Sequence, residues 1–300
     1  MRNTMNYNIE LIRLIAVILI TFTHTKQDFK DGIGVFILED LPRIGTILLS
    51  VVSGYLYWET VKKNRFSIRK KFKTLLVPYL IANLSVLLLV CVAYFGFGFN
   101  FLNRFSFDSN ILTEGIFALN SAPINPPTYF IRDIFMIFVV IELVQHKNLY
   151  MLLIILPVLY FGRLFLRYDI VLLFSAGLLI SMFIDFFLRN KNQILLFMLV
   201  VSLVLIWFTT LDTYRYAVAL FVFLLVFRQN IRFYNVGAFS YLLHLYHAPI
   251  IILVVSVISK FVQNMVLSVL LQVLLSVFVA YILYLLTRKL PKLRIICGEK

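Results

Sequence analysis

Ten long apolar runs, separated by short polar segments, occupy most of this 300-residue sequence. Hydrophobic residues make up 62% of the chain and charged residues 14%, and the mean hydropathy is +0.95, which excludes an ordinary soluble domain. Runs of about 20 apolar residues are typical of membrane-spanning helices. We therefore predict an all-α membrane protein with about ten transmembrane helices, near residues 9–25, 41–58, 74–95, 128–145, 149–161, 170–188, 193–211, 214–227, 237–258 and 263–287.

These runs are predicted to form a single membrane domain over residues 1–300, because no internal repeat and no low-complexity segment divides the chain. The runs 149–161 and 214–227 are shorter than the ~20 residues that a perpendicular helix needs, so we expect them to tilt, break or re-enter. Arg13 interrupts the first run and no cleavage site precedes His24, which favours a retained helix over a signal peptide.

The distribution of basic residues predicts the orientation of the helices. The net charge of +14 does not indicate nucleic-acid binding, because the basic residues lie in short segments between apolar runs. With ten spans both termini share one side, and that side holds 18 of the 28 Lys and Arg residues, against eight on the other side. The remaining two, Arg13 and Arg132, lie within runs. By the positive-inside rule we predict that both termini are cytoplasmic.

An arginine and a histidine within the first run form the most informative pair. Arg13 and His24 are 11 positions apart. At about 100° per residue they lie on one helical face, roughly 16 Å apart along the axis. Glu10 falls on the same side and can pair with Arg13. Ionisable groups are costly inside a bilayer and by default mark a polar pathway or site.

We interpret His24 as a proton-transfer residue and Arg13 as an anion-binding residue, because histidine titrates near neutral pH and arginine does not lose its proton. The structural alternatives are a histidine that only caps the helix and an arginine that is only neutralised by Glu10.

Two further charged groups have both a structural and a functional interpretation. Arg132 and Asp133 form a charged pair inside a run, which is either neutralised internally or directed toward a polar cavity. A basic cluster before the third run is predicted to bind anionic lipid headgroups, the phosphates of a cytoplasmic donor, or both. Its members are Arg69, Lys70, Lys71 and Lys73.

Ser240, His244 and His247 stand at i, i+4 and i+7 and are predicted to lie on one helical face. No glutamate arrangement or third ligand accompanies the two histidines, so hydrogen bonding within the bundle is favoured over a metal site. Ser53 and Gly54 form a small-residue pair that allows close approach of two helices. The two cysteines, Cys91 and Cys297, form no disulfide framework and no metal motif.

Taken in order, these motifs resemble the acyltransferase 3 family of integral membrane acyltransferases. The resemblance covers nearly the whole chain, although each motif is loose by itself. Two residues depart from the family pattern: Tyr129 stands where tryptophan is frequent, and His244 where an aromatic residue is frequent. The matching motifs are Arg13 with His24, SGYL at 53–56, the basic run leading to VPY at 77–79, YFIRDIF at 129–135, FSAG at 174–177 and SYLLHLYHAP at 240–249.

The resemblance implies transfer of an acyl group, commonly acetyl, from cytoplasmic acyl-CoA to a hydroxyl of a cell-surface or lipid-linked polysaccharide. It implies a multi-pass protein of the bacterial cytoplasmic membrane without a bound cofactor or metal, and without the extracytoplasmic hydrolase-like domain of some members. Arg13 would position the donor, and His24 would act as a general base or as a transient acyl carrier. The residues expected to support them are Glu10, Ser53, Tyr129, Arg132, Asp133, Ser240 and His247.

Two other functions fit the same sequence. A transporter or flippase of a polar or lipid-linked glycan would use the polar stripe as a conduit, although no inverted repeat is evident. A scaffold that binds polysaccharide-assembly proteins would use the charged pairs only for folding. An enzyme is expected to remain folded and become inactive when His24 is replaced, whereas a scaffold would lose abundance.

Overall fold

The computed structural model describes residues 7–26, 29, 32–63, 66–102, 104–208, 213–227, 229 and 232–299, and these residues form helices and loops without a strand. The basic residues Arg2, Lys30, Arg65, Arg228 and Lys300, which entered the orientation argument, and the end of the predicted run 193–211 lie outside these ranges. The principal helices are α1 (Tyr7–Thr23), α2 (Ile44–Val61), α3 (Ile68–Phe97), α4 (Tyr129–His146), α5 (Leu152–Phe161), α6 (Tyr168–Met182), α7 (Lys191–Phe208), α8 (Tyr214–Phe227), α9 (Gly237–Phe261) and α10 (Met265–Lys289).

Each predicted apolar run overlaps one of these helices, so the all-α class is confirmed, and the long apolar helices are compatible with a membrane protein. On length and composition alone, α3, α9 and α10 are suited to cross a membrane, and four other apolar helices of the described chain are shorter. The run 170–188 is not one continuous helix, because α6 ends at Met182 and a second short helix covers Ile184–Arg189. The number of crossings and the side of the termini stay predictions.

The core of the bundle is built around α2 and α1. Helix α2 packs along α6 and also contacts α1 and α8, while α9 pairs with α10 and packs on α1. Buried apolar side chains of α1, α2, α4 and α9 belong to one continuous cluster. Helix α1, which contains Arg13 and is followed directly by His24, therefore lies between the α2–α6 pair and the α9–α10 pair.

The contact between α2 and α6 requires a glycine on each helix. A Cβ atom at Gly54 would overlap the backbone carbonyl of Phe174, and one at Gly177 would overlap the backbone carbonyl of Val51. The two backbones therefore touch directly, as small-residue contacts between membrane helices allow. Ser53-Gly54 and the glycine of the FSAG motif, singled out separately in the sequence, are thus parts of the same contact.

We predict that Gly177→Ala lowers the free energy of unfolding by about 1–3 kcal/mol, because the added methyl group would force two backbones apart. The matched control is Gly96→Ala in α3, where an added Cβ meets no atom within 4 Å. There the better helix propensity of alanine is expected to leave stability unchanged or raise it by up to about 1 kcal/mol. Thermal unfolding in detergent compares the two variants, and equal midpoints would contradict the proposed contact.

Candidate active site

Two cavities meet inside the bundle, one on either side of a pair of rings. The first, which we call the Arg13 cavity, has a volume of about 340 Å³, and the second, the His24 cavity, has a volume of about 420 Å³. Both are lined by Phe130 of α4 and His244 of α9, whose rings pack edge-to-face with centroids 5.7 Å apart. These two buried side chains form a thin partition between the cavities.

The Arg13 cavity contains the basic end of the stripe on α1. The Arg13 guanidinium donates to the Glu10 carboxylate at 2.9 Å and remains about one-third exposed, at 34% of its side-chain area. The Lys71 ammonium lies 4.8 Å from the centroid of the Phe138 ring, and both residues line the same cavity. The serines singled out by the sequence, Ser53 and Ser240, also line it.

The His24 cavity contains the titratable end of the stripe. His24 follows α1 directly and is half-buried, beside hydroxyl-bearing Thr46 and Ser50 of α2. Tyr129 lines the cavity, and its hydroxyl accepts a hydrogen bond from Arg167 at 3.3 Å. Arg167 is in turn paired with Asp169.

Three histidine rings lie close together at the partition: His24, just after α1, and His244 and His247 of α9. The ring of His247 lies 5.1 Å from that of His24 and 6.1 Å from that of His244, centroid to centroid. His247 Nδ1 lies 2.8 Å from the backbone oxygen of Leu243, and since a carbonyl only accepts, Nδ1 carries the proton. In the neutral ring Nε2 is therefore an acceptor, and it is buried without a hydrogen-bond partner in the described part of the chain.

No group of three or more His, Cys, Asp or Glu side chains in the described residues is arranged to hold a metal ion. A hydrogen-bonding and proton-transfer role of the three rings stays a prediction, since His244 Nδ1 and Nε2 and His247 Nε2 are buried without a hydrogen-bond partner in the described residues.

The backbone just after His24 is held by a residue that the sequence analysis did not identify. Gln272 of α10 is fully buried, accepts a hydrogen bond from the Lys26 amide at 2.8 Å and donates to the Lys26 carbonyl at 3.0 Å. Both backbone polar groups of Lys26 are therefore satisfied by one side chain. The only signal in the sequence is a glutamine in the middle of an apolar run, which is costly unless its amide is paired.

The helical turn that contains His247 is held in a similar way. Pro249 has no amide proton, so the carbonyl of Leu245 loses its usual donor within the helix. The side-chain amide of Asn125 donates to that carbonyl at 2.7 Å in place of the missing donor. The backbone amide of Asn125 donates to Asn83 Oδ1 at 3.1 Å. The loop before α4 is thereby fastened to α9, next to the partition.

The same loop is ordered further out by a carboxylate. Glu114 accepts four hydrogen bonds from the amide and side-chain groups of Asn120 and Ser121, at 2.8–3.1 Å. Partial burial raises the pKa of Glu114, but these hydrogen bonds outweigh it and bring the pKa below its ordinary value. The loop between α3 and α4 is thus tied down by the ionised form of Glu114.

Arg132 and Asp133 do not line either cavity. Arg132 donates to the carbonyls of Leu164 at 2.7 Å and Arg163 at 2.5 Å, and Asp133 accepts from the amides of Leu166 and Arg167. This buried pair folds the connection between α5 and α6. The pair affects the His24 cavity only indirectly. Asp133 accepts a hydrogen bond from the backbone amide of Arg167, and Arg167 lines that cavity.

The basic cluster at the start of α3 is divided between two places. Lys71 lines the Arg13 cavity, whereas Arg69, Lys70 and Lys73 line a third cavity of about 840 Å³, beside the C-terminal tail. The division follows helical geometry, because residues one and two positions apart do not share a helical face.

Comparisons with known proteins agree with this architecture. A family model described as an acyltransferase domain, Acyl_transf_3, matches residues 6–285. A stretch of 149 residues is 30% identical to the succinoglycan biosynthesis protein ExoH of Rhizobium meliloti (strain 1021), covering 42% of this chain and 38% of that relative. The chain thus matches less than half of that protein's length, and no solved structure matches significantly. Since the family match extends over nearly the whole helical bundle, the chain belongs to the acyltransferase 3 family.

Proposed function

We propose that this protein transfers an acyl group, commonly acetyl, from cytoplasmic acyl-CoA to a hydroxyl of a cell-surface or lipid-linked polysaccharide. One observation carries the proposal: Arg13 and His24 line two different cavities that share Phe130 and His244 as a partition. A donor held in the Arg13 cavity and an acceptor held in the His24 cavity would meet there. The bacterial cytoplasmic membrane is the proposed location.

The identity of the two substrates rests on orientation and on a relative. The positive-inside distribution of Lys and Arg puts the Arg13 end of α1 on the cytoplasmic side, where acyl-CoA is available. The matching relative is named for succinoglycan biosynthesis, and succinoglycan is a polysaccharide. The opposite cavity, with hydroxyl, guanidinium and carboxylate groups on its walls, suits a polar acceptor such as a sugar.

In the proposed reaction His24 acts as the general base. It takes the proton from the acceptor hydroxyl while the oxygen attacks the thioester carbonyl. The new carbon–oxygen bond forms, the carbon–sulfur bond breaks, and the proton passes from His24 to the departing CoA sulfur. An acyl-histidine route would use the same residue as nucleophile, and only that route gives a labelled enzyme when the acceptor is omitted.

His247 is proposed to position His24. Its Nε2 is a buried acceptor and the His24 ring is its neighbour at 5.1 Å, so it can accept the N–H of His24. That hydrogen bond would fix one tautomer of His24 and direct the lone pair of its other nitrogen toward the His24 cavity. His247 would then play the orienting role that a carboxylate plays in a serine triad, without adding a charge inside the membrane.

Arg13 is proposed to hold the donor. Its separation of roughly 16 Å from His24 along the helix is too large for both side chains to contact one carbonyl. A guanidinium that is partly exposed to a cavity and paired with the carboxylate of Glu10 suits a phosphate of the donor. Membership of an acyltransferase family favours acyl transfer over a glycan conduit.

We predict that His24→Ala at matched folded abundance lowers acyl transfer by about 10²–10⁴-fold, the usual contribution of a general base. Membrane vesicles are supplied with labelled acetyl-CoA and a panel of cell-envelope glycans, and CoA release and glycan labelling are followed. The control, His146→Ala, removes an exposed histidine at the end of α4 and is expected to be fully active. Full activity of His24→Ala would contradict this mechanism. Glycan movement without CoA release from the wild type would favour a transporter.

A second prediction separates positioning from folding at His247. His247→Phe keeps a ring of similar size but has no acceptor, so kcat is expected to fall about 10²-fold while KM for acetyl-CoA stays unchanged. His247→Gln restores an acceptor oxygen and is expected to recover part of kcat. Steady-state kinetics of both variants in detergent provide the comparison. A rise in KM with kcat unchanged, or equal losses in the two variants, would argue for a purely structural His247.

A further inference from the structure

Three arginines from three separate chain segments line the His24 cavity. Arg43 lies directly before α2, Arg167 lies directly before α6, and Arg215 lies near the start of α8. The predicted topology puts eight Lys and Arg residues on the outer side of the membrane, where the positive-inside rule disfavours them. Three of these eight line one cavity, and topology alone does not explain why they gather there.

Two of these arginines are held on closely packed backbone. A Cβ atom at Gly45 would overlap the backbone oxygen of Ala16, so the start of α2, two residues after Arg43, lies directly against α1. The backbone amide of Arg167 donates to the buried carboxylate of Asp133 at 2.9 Å. Both side chains are therefore presented to the cavity from fixed positions, which lowers the entropy lost when they bind a ligand.

The guanidiniums of Arg43 and Arg167 are accessible to a ligand. Each of these side chains is 51% exposed, whereas that of Arg215 is 10% exposed. Asp40 Oδ1 accepts a hydrogen bond from Arg215 at 3.0 Å but lies 3.6 Å from Arg43, beyond hydrogen-bonding distance. Arg167 is paired with Asp169, and a pair whose cation is half exposed contributes little to stability. A ligand anion can therefore bind Arg43 without separating Asp40 from Arg215, and can share Arg167 with Asp169.

The chemistry of these side chains favours an anionic ligand. The described residues that line the His24 cavity include three guanidiniums and one carboxylate, Asp169. A guanidinium presents parallel N–H donors that match the oxygens of a carboxylate or phosphate group. The hydroxyls of a neutral sugar can be bound by serine, threonine or amide side chains, which add no charge near the bilayer. Arginines at this position therefore indicate that the ligand itself carries negative charge.

We propose that the glycan acceptor is anionic, and that Arg43 and Arg167 bind its oxyanion in the His24 cavity. The bound anion holds the acceptor in the same cavity that His24 lines, so that a hydroxyl near the anion is presented for acylation. This assignment rests on the proposed function, because it takes the His24 cavity as the acceptor side. A carboxylate of a sugar and a phosphate of a lipid carrier share this chemistry, and the experiment distinguishes the two sources.

The test measures binding to the purified protein, without a donor, in a detergent that has no sugar headgroup. Cellobiouronic acid carries a sugar carboxylate, cellobiose is its neutral counterpart, and geranyl diphosphate carries the phosphates of a lipid carrier without a sugar. Ligand-observed NMR titrations give the three dissociation constants. At least one anionic probe is expected to bind about tenfold more tightly than cellobiose, since a hydrogen bond to a charged group contributes about one order of magnitude in affinity.

The variants Arg43→Gln and Arg167→Gln are made separately. Each is expected to weaken binding of the anionic probe about tenfold and to leave the affinity for cellobiose unchanged. Arg43→Gln is the safer variant for folding, because Asp40 keeps its hydrogen bond with Arg215. The matched control, Arg163→Gln, removes an exposed arginine of the same connection as Arg167 that does not line the cavity. It is expected to bind all three probes as the wild type does.

The result identifies the source of the anion. A loss confined to cellobiouronic acid assigns a sugar carboxylate, and a loss confined to geranyl diphosphate assigns a carrier phosphate. Added salt provides a second measure, since screening is expected to weaken anionic binding in the wild type more than in the two variants. Anionic probes that bind no better than cellobiose would overturn the assignment, as would equal losses in the variants and the control, or equal losses for cellobiose and the anionic probes.

Failure of this assignment and failure of the proposed function are distinguishable, because the binding assay contains no acyl-CoA. If the wild type acylates a glycan but shows no preference for an anionic probe, the proposed reaction stands and the arginine assignment is overturned. If the anionic probe binds through Arg43 and Arg167 while no acyl-CoA is consumed with any glycan, anion binding is supported and the proposed reaction fails.

Discussion

Two backbone contacts between α2 and α6, Gly54 against Phe174 and Gly177 against Val51, set the positions of both cavity walls. Helix α2 lines the His24 cavity with Thr46 and Ser50 and the Arg13 cavity with Ser53 and Val52. A shift of α2 away from α6 would therefore change both cavities at once. In lipid the hydrophobic effect does not drive helices together, so close packing of this kind largely determines where the helices lie.

Within this packed frame, buried side-chain amides hold the backbone near His24 and His247. Gln272 satisfies both backbone polar groups of Lys26, two residues after His24, and Asn125 satisfies the carbonyl that Pro249 leaves without a donor. Transfer of an unpaired polar group from water to an apolar solvent such as cyclohexane costs about 4–8 kcal/mol. These pairings therefore fix the backbone after α1 and the turn of α9 around Leu245, which keeps the rings of His24 and His247 adjacent.

The resulting site is divided between two compartments and closed at the middle. Phe130 and His244 separate the cavities, so a hydrophilic donor and a hydrophilic acceptor would approach from opposite sides and meet only at their reacting groups. This arrangement would let an acyl group cross while its carriers stay on their own sides.

The sequence by itself determined the all-α class and the positions of the apolar helices, because apolar run length and helical periodicity are local properties. It did not reveal Gln272, Asn125 or the division of the basic cluster between Lys71 and its neighbours, since each depends on a partner distant in the chain. Asn125 bonds Leu245 and Gln272 bonds Lys26, and no local pattern encodes such pairings. Arg132 and Asp133 were recognised as a pair, but only the tertiary structure decided that they bind the backbone of 163–166 rather than a cavity. Helix packing brings these partners together, and it cannot be predicted from the sequence of one segment.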